Sequence, residues 1–251
     1  DEARKANAAA RHLHARHTAI TFSANDALAL VPSLPGIWDE PFADSSQLAT
    51  HLVAKLAREH VTVALTGDGG DEVFGGYERY RLVPGLWRRL ASLPVPMRSV
   101  AAAALAPMSG ALGRLFGDRA HKLGPILGSS DAWEMFHRLT SVVQAPSALL
   151  LGSTEPRSPL TDGDWLTDSD DLVRRMMQAD LVSYLPDDIL VKVDRAAMAV
   201  SLESRVPLLD RDIVEFAAGL PMSLKIRPGR SKWLLREVLD RYVPRQLVDR
   251  P

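Results

Sequence analysis

The sequence predicts an α/β fold, a short parallel sheet followed by a largely α-helical half, and three observations lead there. Val61-Thr62-Val63-Ala64-Leu65 is a nearly unbroken run of β-formers, the pattern of a parallel strand covered on both faces. A helix-periodic segment precedes it and a loop of glycines and acids follows it. From Tyr80 onward the chain reads as helix, punctuated by prolines.

The elements follow in order. Glu2 to His14 reads as a charged helix, and Thr18 to Ser23 as a short strand. Asp39 to Asp44 (DEPFAD) is turn-like, because Pro41 denies a ladder its donor. Ser45 or Ser46 then caps a helix that presents Leu48, Leu52, Val53 and Leu56 on one face and ends near His60. Prolines 84, 94, 96, 107 and 125 are expected to divide the next stretch into short helices. Gly152 to Asp170 reads as a loop. Leu172–Leu185, Asp187–Val200, Asp210–Ala218 and Ser231–Tyr242 are helix-like, with Asp187 and Ser231 as expected caps. The domain reading is one unit over 1–251, with an α/β part at 1–80 and a mainly helical part at 81–251.

Composition narrows the function. With 46% hydrophobic residues and a net charge of -1, the chain can bury a core and gives no electrostatic reason to expect nucleic acid. It holds no cysteine, which excludes disulfides, thiolate metal sites and a cysteine nucleophile within it. No run approaches the roughly 18 apolar residues of a membrane span. Asp1–His17 lacks the apolar stretch of a secretory leader. The cytoplasm is the expected location.

Three segments carry candidate chemistry. The first is Thr66-Gly67-Asp68-Gly69-Gly70-Asp71-Glu72-Val73-Phe74-Gly75-Gly76-Tyr77, which follows the strand. Ligands of open α/β sheets bind beyond the carboxyl ends of strands, and glycines let them approach the backbone. Asp68, Asp71 and Glu72 crowd like charges that a cation would offset, and hard oxygens suit Mg²⁺ shared with phosphates. A solvated acidic turn accounts for the same residues. The second runs from Leu185 to Asp210, where Lys192, Asp194, Arg195, Glu203, Arg205 and Asp210 interrupt apolar neighbours. Such charges either pair between helices or face a ligand. The third, Lys225 to Glu237, leads a basic turn into a helix; it reads equally as an anion site and as a solvated turn. His12, His14 and His17 read as a solvated face, and Trp87, Trp133 and Trp165 as core or interface.

Taken together and in this order, the segments resemble the asparagine synthetase family. LTGDGGDEVFGGYERY is similar to its nucleotide-binding signature, LPDDILVKVDRAAMAVSLESRVPLLD to its helical signature, GRSKWLLRE to its lysine segment, and DEPFADSS to the segment before the strand. The resemblance covers most of the chain and is weakest between Leu82 and Leu172. It implies the C-terminal synthetase domain, with a partial parallel sheet of adenine nucleotide alpha hydrolase-like (ATP pyrophosphatase) type.

The activity it implies is amide formation. ATP activates a carboxylate, aspartate in the first instance, as an acyl-adenylate with release of pyrophosphate and with Mg²⁺. Ammonia from a glutaminase domain then attacks. Carried onto this chain, Thr66 and Gly67 lie near the adenylate and Asp71 holds Mg²⁺–pyrophosphate. Asp68 assists ammonia attack, and Glu72, Tyr77 and Glu203 shape the pocket. Asp194 and Arg195 belong to the nucleotide site, and Lys232 neutralises charge on the phosphate and acyl oxygen. A homodimer is an expected assembly. The family's SGGxDS phosphate loop, its nucleophilic cysteine and glutaminase domain, and the basic segment after VDRP are not in this sequence. The expectation is therefore a piece of a longer gene product, inactive by itself. An amidotransferase acting on a surface sugar or peptide, a lactam-forming relative and a non-catalytic scaffold are the competing readings.

Overall fold

The computed structural model describes residues 2–105, 123–141, 143, 152, 157–158, 160–161 and 171–248. They are mostly helical, with a small two-stranded parallel sheet. The chain groups into two compact units, one from 1–76 and 184–251, the other from 77–183.

In the first unit, α1 (Glu2–His12), α2 (Ala24–Leu30), α3 (Leu34–Trp38) and α4 (Gln47–Arg58) precede β1 (Val63–Leu65) and the short α5 (Gly70–Phe74). Thr18–Ser23 is not a strand. No partner pairs with it, and Ser23 instead opens α2 through a reciprocal capping box with Asp26. After the second unit the chain resumes with a π-helical turn, Leu185–Leu190, running directly into α11 (Val191–Met198). Asp187 therefore lies inside the helix rather than capping it. Pro186 occupies its first turn, where a missing N–H costs nothing.

Next comes β2 (Glu203–Arg205), which lies parallel to β1 with Val63 opposite Glu203, Ala64 opposite Ser204 and Leu65 opposite Arg205. This strand is not legible in the sequence, since Glu-Ser-Arg has neither alternation nor β-formers. The expectation of a doubly covered β1 also needs correcting. Val63 is 37% and Leu65 72% exposed, because among the described residues the sheet ends at two strands. The unit closes with α12 (Arg211–Gly219), α13 (Met222–Lys225), α14 (Trp233–Leu239) and α15 (Arg245–Val248). Asp210 caps α12 through Asp212 N–H at 3.0 Å. α4 packs on α11, burying Ala54, Ala197 and Leu202 behind the strand, with Ala57, Ala64 and Val200 around them.

The second unit holds α6 (Arg79–Leu90), α7 (Val95–Leu105), α8 (Leu123–Leu127), α9 (Ala132–Thr140) and α10 (Leu172–Val182). Prolines 84, 96 and 125 lie inside helices instead of dividing them. Pro107, Trp165 and most of Gly152–Asp170 fall outside the described residues. Tyr80, Val83, Met135, Phe136, Met176 and Ala179 form the core where α6, α9 and α10 meet. Within it Asp180, 2% exposed, accepts from Tyr80 Oη at 2.6 Å and Arg79 Nε at 3.0 Å. Burial pushes the Asp180 carboxyl up, and the Arg79 charge and the Tyr80 hydroxyl oppose that shift. Trp87 and Trp133 pack as expected, under Arg98 and Arg175 at 5.0 and 4.3 Å.

Candidate active site

The chain leaves β1 at Thr66, whose N–H donates to Arg205 O at 2.9 Å and extends the ladder by one bond. The Thr66 hydroxyl is buried and makes no hydrogen bond within the protein. Gly67 and Asp68 carry the turn; a side chain at Gly67 would meet nothing within 4 Å. The backbone then turns left-handed at Gly69 (φ 78°), winds one short helix and turns left-handed again at Gly75 (φ 74°). Between these points lie Asp71 and Glu72. Glu72 is 1% exposed and belongs to the interior of the loop, while Asp71 faces out.

Opposite Asp71 stands Lys232, with Nζ 3.0 Å from Asp71 Oδ1. Lys232, not Ser231, is the residue that begins α14, and it does so in the left-handed region at φ 50°. Ser231 contributes its carbonyl, which accepts from Arg236 Nε at 3.0 Å. A lysine held at positive φ is unusual and concentrates at functional sites. The structure thus brings together two residues separated by most of the chain, both chosen from the sequence as site residues.

The other candidates lie elsewhere. Asp194 is exposed on α11, and Arg195 reaches Asp39 at 2.7 Å in an exposed pair. Glu203 pairs with Arg205 at 2.7 Å on the open face of β2, a strand length before the loop. Tyr77 belongs to the second unit, where Arg79 covers its ring at 3.9 Å. Among the described residues no three His, Cys, Asp or Glu side chains are grouped to hold a metal. His12 Nε2 instead lies 3.1 Å from Tyr242 O.

One cluster was missed by sequence reasoning. Lys192 Nζ lies 2.6 Å from Asp44 and 4.0 Å from Asp188. Burial opposes the charge of Asp44, but Lys192 and the Ser46 bonds outweigh it and hold the carboxyl at about 2. Burial and then the Asp44 charge push Asp188 up. Asp44 also receives the Ser46 N–H at 2.8 Å, so it is Asp44, and no serine hydroxyl, that orders the start of α4. The i,i+4 spacing of Asp188 and Lys192 was the available signal; nothing local pointed to Asp44. With Asp39–Arg195, this pair clips both ends of the DEPFAD turn to α11.

A glycine-bounded acidic loop at the carboxyl end of a parallel strand, met by a lysine from a distant segment, defines a ligand-binding α/β site of the kind that handles anionic substrates. The chain belongs to the asparagine synthase family, whose model matches residues 1–251. It is 35% identical over 255 residues to a putative asparagine synthetase [glutamine-hydrolyzing] of Mycobacterium tuberculosis, covering 97% of this chain and 37% of that protein. Asparagine synthetase [glutamine-hydrolyzing] 1 of Bacillus subtilis is 31% identical, over 88% of this chain and 34% of its own length. Amidase chry2 of Gibberella zeae is 28% identical, over 76% and 31% respectively. The chain spans about a third of the length of the curated relatives it matches. Among the described residues no helix is long and apolar enough to cross a membrane.

Proposed function

We propose that this chain carries the ATP-dependent amide-forming chemistry of an asparagine synthase-type ligase. A carboxylate, aspartate in the first instance, attacks the α-phosphorus of ATP and pyrophosphate leaves. Ammonia then attacks the acyl carbon, a proton is lost from nitrogen, and AMP leaves with the acyl–oxygen bonding pair. Family membership and the Asp71–Lys232 pair, 3.0 Å apart at the mouth of the glycine loop, support this reading. The two-stranded sheet is read as part of the adenine nucleotide alpha hydrolase-like sheet that the family implies, and 1–251 as one synthetase-type domain.

Asp71 offers a single, part-exposed carboxylate rather than a protein cage. That suits Mg²⁺, which takes one or two carboxylates and completes its shell with water and substrate phosphate. When bound, the ion would screen the pyrophosphate charge. Lys232 supplies a fixed cation for charge developing on the phosphate and acyl oxygen. Thr66, with its unbonded hydroxyl, and Gly67, with its open face, lie along the adenylate. Asp68 accepts the ammonia proton, and Glu72, Tyr77 and Glu203 shape the pocket. Asp194 and Arg195 are assigned to the nucleotide side. Ammonia would come from a glutaminase domain of the whole protein.

Relatives named as amidases support a second acceptor class, a carboxylate other than aspartate. The test is isotope-traced pyrophosphate–ATP exchange in the full-length gene product, with aspartate and a panel of other acids. Aspartate-dependent exchange that Asp71→Ala abolishes is the expected result. Exchange with another acid replaces the substrate and keeps the chemistry. A folded protein with no exchange on any acid sinks the proposal.

A further inference from the structure

Asp71 is confined by its own loop. Gly75 N–H and Gly76 N–H both donate to Asp71 O, the latter at 2.8 Å, so the chain doubles back over Asp71 as α5 ends. Gly76 is left facing the Asp71 side chain. A Cβ there would overlap Asp71 Oδ1, and would stand 2.6 Å from Asp71 Cγ and 2.9 Å from Asp71 Cα. The Cα cannot swing away, and an Asp side chain escapes such a contact only by leaving its χ1 well, about 120° to the next. Oδ1 is the oxygen that meets Lys232. Gly76 has no positive φ to explain it, unlike Gly69 and Gly75. Its requirement for hydrogen in place of a side chain comes from Asp71.

We propose that Gly76 is a positioning residue for the Asp71 carboxylate: its bare Cα is the floor on which that carboxylate is aimed. The inference rests on the reading of Asp71 as the Mg²⁺–pyrophosphate ligand. A methyl at 76 turns the carboxylate off its line while leaving the residues themselves in place. The defect is then one of ion affinity, and excess Mg²⁺ recovers the rate.

The test compares Gly76→Ala with the wild type and with Gly36→Ala, whose new methyl would meet nothing within 4 Å. In pyrophosphate–ATP exchange by the full-length gene product, Gly76→Ala raises the Mg²⁺ needed for half-maximal rate roughly tenfold, equivalent to one charge-assisted contact, and keeps most of the saturated rate. Gly36→Ala matches the wild type. Thermal unfolding supplies a readout independent of activity. Gly76→Ala lowers the midpoint by roughly 2–6 °C, and in an Asp71→Ala background most of that penalty disappears. A lowered midpoint with unchanged Mg²⁺ dependence would mean a merely structural glycine, and overturns the proposal. So does a penalty that persists undiminished without the Asp71 side chain. If the wild type shows no exchange at all, the functional reading falls, and the unfolding comparison still decides whether Gly76 seats Asp71.

Discussion

Each unit of this molecule holds an aspartate against a cation at nearly the same distance, and the two pairs do opposite things. In the second unit Asp180 meets Arg79 at 2.9 Å, with Tyr80 Oη at 2.6 Å, and only 2% of the carboxylate side chain is exposed. In the first unit Asp71 meets Lys232 at 3.0 Å, with roughly a third of each side chain open to water. The buried group is bonded by the helix that packs on it; removing its charge leaves a guanidinium stranded. The open pair contributes little to stability, since exposed ion pairs are worth ~0–1 kcal/mol. Yet it sits on costly backbone, a lysine at φ 50° and a helix bracketed by left-handed glycines. Distance does not separate a structural pair from a ligand-facing one; the surroundings do.

Four experiments break or sharpen that contrast. Asp180→Ala has the largest effect, a loss of about 3–5 kcal/mol in urea unfolding, because a cation is left without its buried partner. A loss under 1 kcal/mol would erase the difference between the pairs. Lys232→Gly gives the opposite pattern. Pyrophosphate–ATP exchange drops about 10²–10³-fold, while stability stays within about 1 kcal/mol, since glycine relieves the left-handed backbone as the ion pair is lost.

The Asp44–Lys192 pair lies between the two extremes. Asp44→Asn costs about 1–2 kcal/mol at neutral pH. The folded carboxyl titrates at about 2, below its ordinary 3.8, so its contribution is present above that ordinary value and lost as pH falls toward 2. Wild-type and variant stabilities should therefore converge on acidification. Asp188, whose carboxyl is pushed up, contributes with the opposite sign: its share is greatest in acid and is lost as pH rises through its folded value. Arg195→Ala is the smallest effect, under about 1 kcal/mol, because both it and Asp39 are exposed.

Much of the candidate site was legible because backbone chemistry announces itself. Gly69 and Gly75 stand where the chain needs positive φ, and acids between such glycines after a β run mark a loop at a strand end. Helices with clear periodicity appeared within a few residues of their expected bounds. What stayed hidden was nonlocal. β2 is three residues whose only reason to be a strand is β1, far away in sequence. The Asp44–Lys192 and Asp39–Arg195 contacts likewise join positions that no local pattern couples. Pro84 misled because an internal proline is read as a break, whereas burial of Tyr80, Val83 and Leu90 on one face holds α6 together across it.

The parallel pairing of Val63–Leu65 with Glu203–Arg205 sets a timetable for the nascent chain. At ~5–20 residues per second, the first strand leaves the ribosome roughly 7–30 s before its partner exists. Through that interval the whole second unit is synthesised, while Val63 and Leu65 present an unpaired apolar ribbon. The glycine loop cannot meet Lys232 until still later. The step most exposed to misassembly, and most in need of a chaperone, is therefore the wait of an early strand for a late one.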